Sequence, residues 1–358
     1  MISVTKTFLP PIEDYTKYLQ QIWASNQLTN NGPLVRELES QLKDYLDVKN
    51  LFFVTNGTIA LQIAIKALAL QGEVITTPFS YVATTSSLVW EGCQPVFVDI
   101  DPHTLCIDPN LIEAAITEKT TAILATHVYG IPCDVERINT IAITHGLKVL
   151  YDAAHTFGGK YKGKSIVSYG DVATLSFHAT KLFHTVEGGA IVTEDDELAH
   201  RISYMRNFGH KGQEEFWGLG INGKNSELHA AMGLCNLRHI DLIIASRKQA
   251  SQLYNRFLET TLLTRPALPP YTEYNYGYYP ILLKSEEQLL ETKSALNKQE
   301  IYPRRYFFPS LNKLPIANHV PQPISDQIAK RVLCLPLYVE MDYETVEKIA
   351  QIVMKDIT

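Results

Sequence analysis

The first half of this chain alternates short β-branched runs with amphipathic stretches, and no other feature constrains its fold as tightly. Candidate strands lie at Leu51–Val54, Glu73–Thr76, Pro95–Ile100, Thr121–Thr126 and Lys148–Tyr151. Helical patterns fall between them at Thr58–Leu70, Tyr81–Trp90, Pro109–Ile116 and Asp134–His145. In the first of these, Ile59, Ile63, Ala67 and Leu70 recur at helical spacing. Such repetition predicts βαβ units and a largely parallel sheet covered by helices, an α/β fold. Further strands are expected at Val172–Phe177 and Ala190–Thr193, a helix from about Asp195, and another over Ser226–Ile244 with Ser226 as N-cap. After about residue 245 the texture changes to Pro- and Tyr-rich loops, a strand Tyr279–Leu283, and helices over Glu286–Lys298 and Tyr343–Met354. A chain of 358 residues is long for one core. The expected division is a large domain over residues 1–245, whose N-terminal segment can pack on the smaller domain, and a smaller α+β domain over residues 246–358.

Composition removes several function classes. A net charge of −6 argues against a nucleic-acid-binding surface, which needs a basic stripe. It leaves room for a substrate with one or two phosphates, because a few local Arg or Lys residues suffice. Cys93, Cys106, Cys133, Cys235 and Cys334 lie far apart with no CxxC pair, which reads as reduced thiols of a cytoplasmic protein and not as a disulfide frame or a metal site. The N-terminus lacks a basic region followed by an apolar core, so no signal peptide is expected. No apolar stretch approaches the ~20 residues that span a bilayer. Asn56-Gly57-Thr58 matches a glycosylation sequon by chance.

Three segments carry chemistry jointly. Asn56-Gly57-Thr58-Ile59-Ala60-Leu61 joins a strand to a helix, where a small Gly, the Thr58 hydroxyl and helix-start N–H groups can hold a phosphate. Standing alone, such a junction is more often plain turn chemistry. Lys148-Val-Leu-Tyr-Asp152-Ala-Ala-His155 places a carboxylate at the C-terminal tip of an apolar strand, the usual ligand edge of an α/β sheet. A buried carboxylate there needs a cationic partner, and a protonated pyridine nitrogen would be one, unless Asp152 is only a helix N-cap. Ser176-Phe177-His178-Ala179-Thr180-Lys181, followed by Glu187-Gly188-Gly189, sets a lysine just beyond a strand with a hydroxyl five residues earlier. A single lysine is usually a solvated surface residue. The order of the three segments, each at an expected strand end, points to pyridoxal 5'-phosphate held by Lys181, with Ser176 on its phosphate and Asp152 on its ring nitrogen.

The chain also resembles a known family. The segments LTNNGP at 28–33, NGTIAL at 56–61, GEVITTPFSYVATTS at 72–86, PVFVDID at 95–101, HVYG at 127–130, DAAHTFG at 152–158, SFHATK at 176–181, EGGAIVT at 187–193 and NGKNSELHAAMG at 222–233 are similar to the DegT-type sugar-nucleotide aminotransferases, fold-type I pyridoxal-phosphate enzymes. The resemblance implies a mainly parallel seven-stranded large domain. It implies Lys181 as the Schiff-base lysine and Asp152 on the pyridine nitrogen. His155 would lie near the ring's phenolic oxygen, Tyr81 against the ring face, and Gly57, Thr58 and Ser176 on the phosphate. Asn222 would reach the phosphate of a neighbouring subunit, so a homodimer with shared active sites is expected. Lys224, Arg305 and Tyr306 would contact the nucleotide-sugar. Family members often carry Met where this chain has Asn225 and His where it has Arg305. From the residues alone, Arg304-Arg305 reads as a solvated basic turn, and the Tyr cluster at 271–279 either stacks on a sugar or base or packs at a domain or subunit edge.

By the same resemblance the amino donor is glutamate, and the freed Lys181 amine moves a proton as general base and acid. The segment Lys181-Leu-Phe-His-Thr-Val-Glu-Gly-Gly189 is similar to that of relatives aminating C4 of the sugar. The expected acceptor is therefore a dTDP-4-keto-6-deoxyhexose, giving dTDP-4-amino-4,6-dideoxyglucose of the viosamine type. The rivals are a C3-aminating relative and a non-catalytic sensor or regulator of the same fold.

Overall fold

A computed structural model of the protein describes residues 1–259, 263–317 and 319–355; residues 260–262, 318 and 356–358 of the expected smaller domain lie outside these. Seven strands build the central sheet: β1 (Asn50–Val54), β2 (Glu73–Thr76), β3 (Gln94–Phe97), β4 (Thr120–Thr126), β5 (Lys148–Asp152), β6 (Val172–Ser176) and β7 (Gly189–Thr193). Their spatial order is β1-β7-β6-β5-β4-β2-β3. Strands β2 to β6 run parallel to their neighbours, and β7 is antiparallel to both β1 and β6. The C-terminal ends of β1, β2, β4, β5 and β6 therefore share one edge of the sheet.

Both faces are buried, and side chains alternate between two cores as a pleated strand requires. Val74, Leu124, Leu150, Val172 and Ile191 meet one core, whereas Ile75, Ile123, Val149, Ala173 and Val192 meet the other. The helices α1 (Ile12–Ser25) and α2 (Pro33–Leu46) precede the sheet and pack into the second core through Tyr18, Ile22, Leu38 and Leu42. The first core is closed by α3 (Gly57–Ala67), which presents Ala60, Leu61, Ile63 and Ala64 to it. The Asn56 side chain starts this helix by accepting the Ile59 N–H at 2.8 Å, a cap worth about 1 kcal/mol. Next come α4 (Val82–Trp90), α5 (Val135–His145) and α6 (Asp196–Met205).

Two expected helices differ from the structure. Residues 109–116 form two single 3-10 turns, Pro109–Leu111 and Glu113–Ala115, with the Asp108 side chain holding the Asn110 N–H. The stretch 226–244 is broken into α7 (Glu227–Leu237) and α8 (Ile240–Leu258). Buried Asn236 donates to the His184 carbonyl at 2.9 Å and accepts the His239 N–H through its backbone, so the chain turns without Gly or Pro. Ser226 does cap α7 by accepting the His229 N–H.

The helix α8 crosses the expected boundary at residue 245. Its first turns, at Ile240 and Ile243, belong to the sheet's core. Its later residues Ala250, Tyr254 and Leu258 join a third core. That core contains β8 (Tyr279–Leu282), α9 (Glu286–Lys298), β9 (Val332–Leu335) and α11 (Tyr343–Lys355), with α10 (Pro323–Arg331) leading into β9. Strands β8 and β9 pair antiparallel. Ile2–Ser3 pairs in parallel with Ile301–Tyr302, so the N-terminus starts on this unit before passing to the sheet. Leu282, Phe307, Ile328, Val332 and Cys334 nevertheless pack into the sheet's core, and a division near residue 245 remains a proposal.

Candidate active site

A cavity of about 630 Å³ opens at the shared strand edge. Its wall includes Gly57 and Thr58 after β1, Tyr81 before α4, Asp152 and His155 at the end of β5, and Ser176 and Lys181 at the end of β6. Tyr306, which packs against the sheet's core from the segment after α9, also lines it. These sequence-expected residues are brought together by topology alone, because every parallel strand delivers its C-terminal end to the same edge.

Asp152 is 5 % exposed and is not a helix N-cap: it is followed by turns, and its Oδ1 accepts the Ala154 N–H at 3.1 Å. Its Oδ2 accepts from Thr84 Oγ1 at 2.6 Å. Thr84 Oγ1 lies 2.7 Å from Ser80 Oγ, which lies 3.0 Å from Thr126 Oγ1. A hydroxyl carries one proton, so donation runs from Thr126 through Ser80 and Thr84 to the carboxylate. Burial pushes the Asp152 pKa above its ordinary value despite these bonds and the attraction of Lys181. The carboxylate thus sits in a place that favours a cation more than its present partners supply.

Lys181 shows the complementary displacement. Burial lowers its pKa, opposed by the fields of Asp152, Tyr306 and Tyr81, which shifts the balance towards the neutral amine. Its Nζ donates to Tyr278 Oη at 3.2 Å. The loop carrying it is fastened by Phe177 N–H to the Gly188 carbonyl, Thr185 N–H to the Phe177 carbonyl, and the Thr7 hydroxyl to the Ala179 carbonyl. His155 accepts the Tyr129 N–H on Nδ1 at 3.1 Å, which leaves Nε2 as the protonated nitrogen. Burial holds its pKa well below the usual value, so it is neutral.

The phosphate-sized end of the cavity depends on close packing of small groups. A Cβ on Gly57 would stand 2.9 Å from Ser176 Cβ, and one on Gly189 would stand 2.6 Å from the Asn56 carbonyl carbon. Glycine at both positions lets the start of α3 lie directly against Ser176. Asn56 caps Ile59, while the N–H groups of Gly57 and Thr58 open the helix and have no acceptor within it. Helix-start donors, two hydroxyls, a buried carboxylate in want of a cation and a primary amine whose pKa burial lowers form a set of groups that fits a phosphorylated pyridine aldehyde. Among the described residues no group of three or more His, Cys, Asp or Glu is placed to hold a metal ion.

Three expected site residues are not part of this wall. Lys224 Nζ donates to Asn222 Oδ1 at 2.9 Å and lies 4.5 Å from the Phe208 ring centroid, beside the hairpin His210–Lys211/Glu215–Phe216. Arg305, expected at the substrate, instead gives Nη2 to Glu286 Oε1 at 2.8 Å and lays its guanidinium 3.5 Å from the Phe308 ring centroid. Arg304 faces the cavity in its place. The bridge between Arg304 and Cys334 shows extended backbone here, so consecutive side chains point to opposite sides. Sequence reasoning missed Ser80, Thr84 and Thr126, along with Arg247, which lines the cavity from α8; of the Tyr cluster at 271–279, Tyr278 lines the cavity at the edge of β8. The TTPFSYVATTS segment held Ser80 and Thr84 in plain view, yet nothing local marked which hydroxyl turns inward.

A model of the DegT/DnrJ/EryC1/StrS aminotransferase family matches residues 12–354. A dTDP-4-amino-4,6-dideoxy-D-glucose transaminase of Shigella dysenteriae is 43% identical over 356 residues, covering 97% of this chain and 97% of its own. The crystal structure of DesI in the presence of its TDP-sugar product superposes with a TM-score of 0.91 at 32% identity, covering 98% of this chain and 91% of that one. Bacillus subtilis NtdA with bound cofactor PMP superposes with a TM-score of 0.88 at 28% identity, covering 97% of this chain and 82% of that one.

Proposed function

The chain belongs to the DegT/DnrJ/EryC1/StrS aminotransferase family and is a pyridoxal-phosphate-dependent sugar-nucleotide aminotransferase; from that premise we propose that it transfers the amino group of L-glutamate to dTDP-4-keto-6-deoxy-D-glucose, giving dTDP-4-amino-4,6-dideoxyglucose. The supporting observation is the meeting, in one cavity, of a lysine biased to neutrality, a buried carboxylate lacking a full cationic partner, and the Gly57–Ser176 cradle. The specific sugar rests on the 43% identical Shigella dysenteriae relative and on the Lys181–Gly189 segment.

Pyridoxal phosphate, when bound, supplies an aldehyde that exchanges amines and a ring that takes up negative charge. Lys181 would hold it covalently, Gly57, Thr58 and Ser176 would hold its phosphate, and Asp152 would keep its ring nitrogen protonated. Tyr81 would lie against the ring face, and His155, with its proton on Nε2, would donate towards the phenolic oxygen. Lys181 Nζ, as a free amine, would take the proton from the donor's Cα, a role that the lowering of its pKa by burial supports. Arg304 and Tyr306 would meet the anionic part of the substrates, orienting the keto carbon over the amine.

A homodimer is part of the proposal. Asn222 and Lys224 lie off their own chain's cavity, next to exposed Phe208, Phe216 and Trp217, which is the placement expected of residues that serve a second copy. A cytoplasmic location is proposed on the five buried free thiols. Among the described residues no helix is long and apolar enough to cross a membrane.

Borohydride reduction of the purified protein followed by peptide mass spectrometry is expected to place the cofactor on Lys181. A panel of dTDP-, UDP- and GDP-linked 3-keto and 4-keto sugars with glutamate, read by NMR, is expected to show nitrogen at C4 of the dTDP sugar. Nitrogen at C3, or preference for another nucleotide, would overturn the assigned substrate.

A further inference from the structure

The tyrosine-rich segment after residue 270 is where the structure exceeds what the reaction alone requires. Residues 275–278 are gripped from two sides. Asn275, 2 % exposed, donates to the carbonyls of His155 at 2.8 Å and Phe157 at 3.0 Å and accepts the Gly277 N–H at 3.0 Å. From α8, Arg247 donates through Nε to the Tyr276 carbonyl at 3.1 Å and through Nη2 to the Gly277 carbonyl at 2.8 Å. Arg247 is 4 % exposed, and burial lowers its pKa to about 10. A guanidinium in so dry a place is costly, and here it is spent on two backbone carbonyls of one segment. Tyr274 Oη lies 2.9 Å from the Tyr129 carbonyl and 3.1 Å from the Tyr278 carbonyl, and its single proton is shared between them.

What this grip immobilises is Tyr278. Its ring centroid lies 4.5 Å from that of His155, and its hydroxyl oxygen is the acceptor for Lys181 Nζ at 3.2 Å. The segment is thus tied to the same turn that carries Asp152 and His155, so the hydroxyl is fixed relative to the whole floor of the cavity. We infer that Tyr278 is a positioning residue for Lys181: its hydroxyl holds Nζ at one place in the cavity, with Asn275 and Arg247 fixing the hydroxyl in turn. A lysine has four rotatable bonds, and a free amine that must return to the donor's Cα gains from one preset location.

The groups facing Lys181 are Asp152 and His155 at the end of β5, Tyr81 before α4, Tyr306, and Tyr278 itself. Tyr278 in turn faces Arg247, Cys334 and Asp152. Burial raises the phenol's pKa, so Tyr278 is neutral through the working range and acts as a hydrogen-bonding group, not as a charge. Lys181 Nζ would carry the cofactor as an imine in the holoenzyme, and an acceptor held at its N–H favours the protonated imine, so loss of the Tyr278 hydroxyl lowers the midpoint of the visible absorbance.

The inference rests on the proposed role of Lys181, and the experiment separates the two. Holoenzyme of wild type and Tyr278→Phe is compared by steady-state kinetics and by pH titration of the visible absorbance of the bound cofactor. The variant is expected to lose about tenfold or more in kcat with KM for both substrates within about twofold. Its absorbance midpoint is expected to move down by about half a pH unit or more. Both changes are required: an unmoved midpoint, or an unmoved kcat, overturns the inference. Arg247→Lys, which gives up the two-pronged hold on the carbonyls, is expected to move the midpoint in the same direction by less and to add nothing in the Tyr278→Phe background; an additive shift also overturns it. Wild type without a visible band attached to Lys181 would overturn the functional reading, and this inference with it.

Discussion

The floor of the cavity and its mouth are built on different principles. Asp152, Ser176 and the Gly57 turn sit at or next to the ends of strands whose neighbours fix them by a ladder of backbone bonds. Arg304 and Arg305 at the mouth sit in an extended segment outside the sheet, where one residue of phase decides whether a side chain meets the cavity. The floor is therefore determined by topology and the mouth by local register. Reaction chemistry is assigned to the first, and choice of substrate to the second.

The most severe way to break this contrast is at Lys181. Lys181→Ala is expected to reduce turnover by about ten-thousandfold while the protein remains folded, checked by product formation under single-turnover conditions. A variant retaining a tenth of the activity would show that the floor does not hold the reacting amine. Next is Asp152→Asn, expected to lower kcat by about a hundredfold or more with little change in fold. The same variant tests the burial of the carboxylate without any turnover. The Asp152 pKa is raised in the folded cofactor-free protein above its ordinary value of 3.8, so the folded state holds this proton more tightly than the unfolded chain. Its contribution to stability is fully present below 3.8 and is lost as pH climbs through the raised folded value. The melting temperature of the cofactor-free wild type, taken relative to Asp152→Asn, is thus expected to decline as pH rises above about 4. A flat difference would mean that the carboxylate is solvated.

The contrast also explains how much could be read in advance. The expected strands 73–76, 121–126, 148–151 and 172–177 fall within a residue of those in the structure, because apolar runs bounded by turn residues carry a strong signal. Once the strands are parallel, Asp152, Ser176 and Gly57 must converge, so their meeting follows from order alone. The hydroxyl chain from Thr126 to Asp152 and the bond from Tyr278 to Lys181 did not emerge, because they join residues 46, 68 and 97 positions apart through side chains that no local period marks. The α7–α8 break was also hidden, since the polar contact that turns the chain lies between Asn236 and His184. Arg304 and Arg305 show the same limit at single-residue scale: both are arginine, and only the bridge to Cys334 reveals which one faces inward.

That pair gives the sharpest test of the mouth. Arg304→Ala is expected to raise KM for the nucleotide-sugar about tenfold with kcat within about twofold, the pattern for loss of a charge-assisted contact made equally before and during reaction. A fall in kcat with KM unchanged would move Arg304 from the mouth to the floor.

Arg305→Ala should do neither, and its effect on stability is also expected to be small for reasons that can be weighed. The residue gives up the bond to Glu286 and the contact with the Phe308 ring, which together favour the native arginine. Its Nε, however, is buried without a partner, a standing cost that alanine removes. Glu286 is about one-third exposed, so its carboxylate can turn to water or to Lys330, whose Nζ already stands 3.9 Å away. A half-screened ion pair of this kind is worth about 0.5–1 kcal/mol, and the released Nε offsets part of that. The expected outcome is a fall in melting temperature of about 1–3 °C that shrinks as salt is raised, with kinetic constants unchanged. A tenfold change in KM at Arg305 with none at Arg304 would reverse the register assigned to this extended segment and, with it, the side of the chain that faces the substrate.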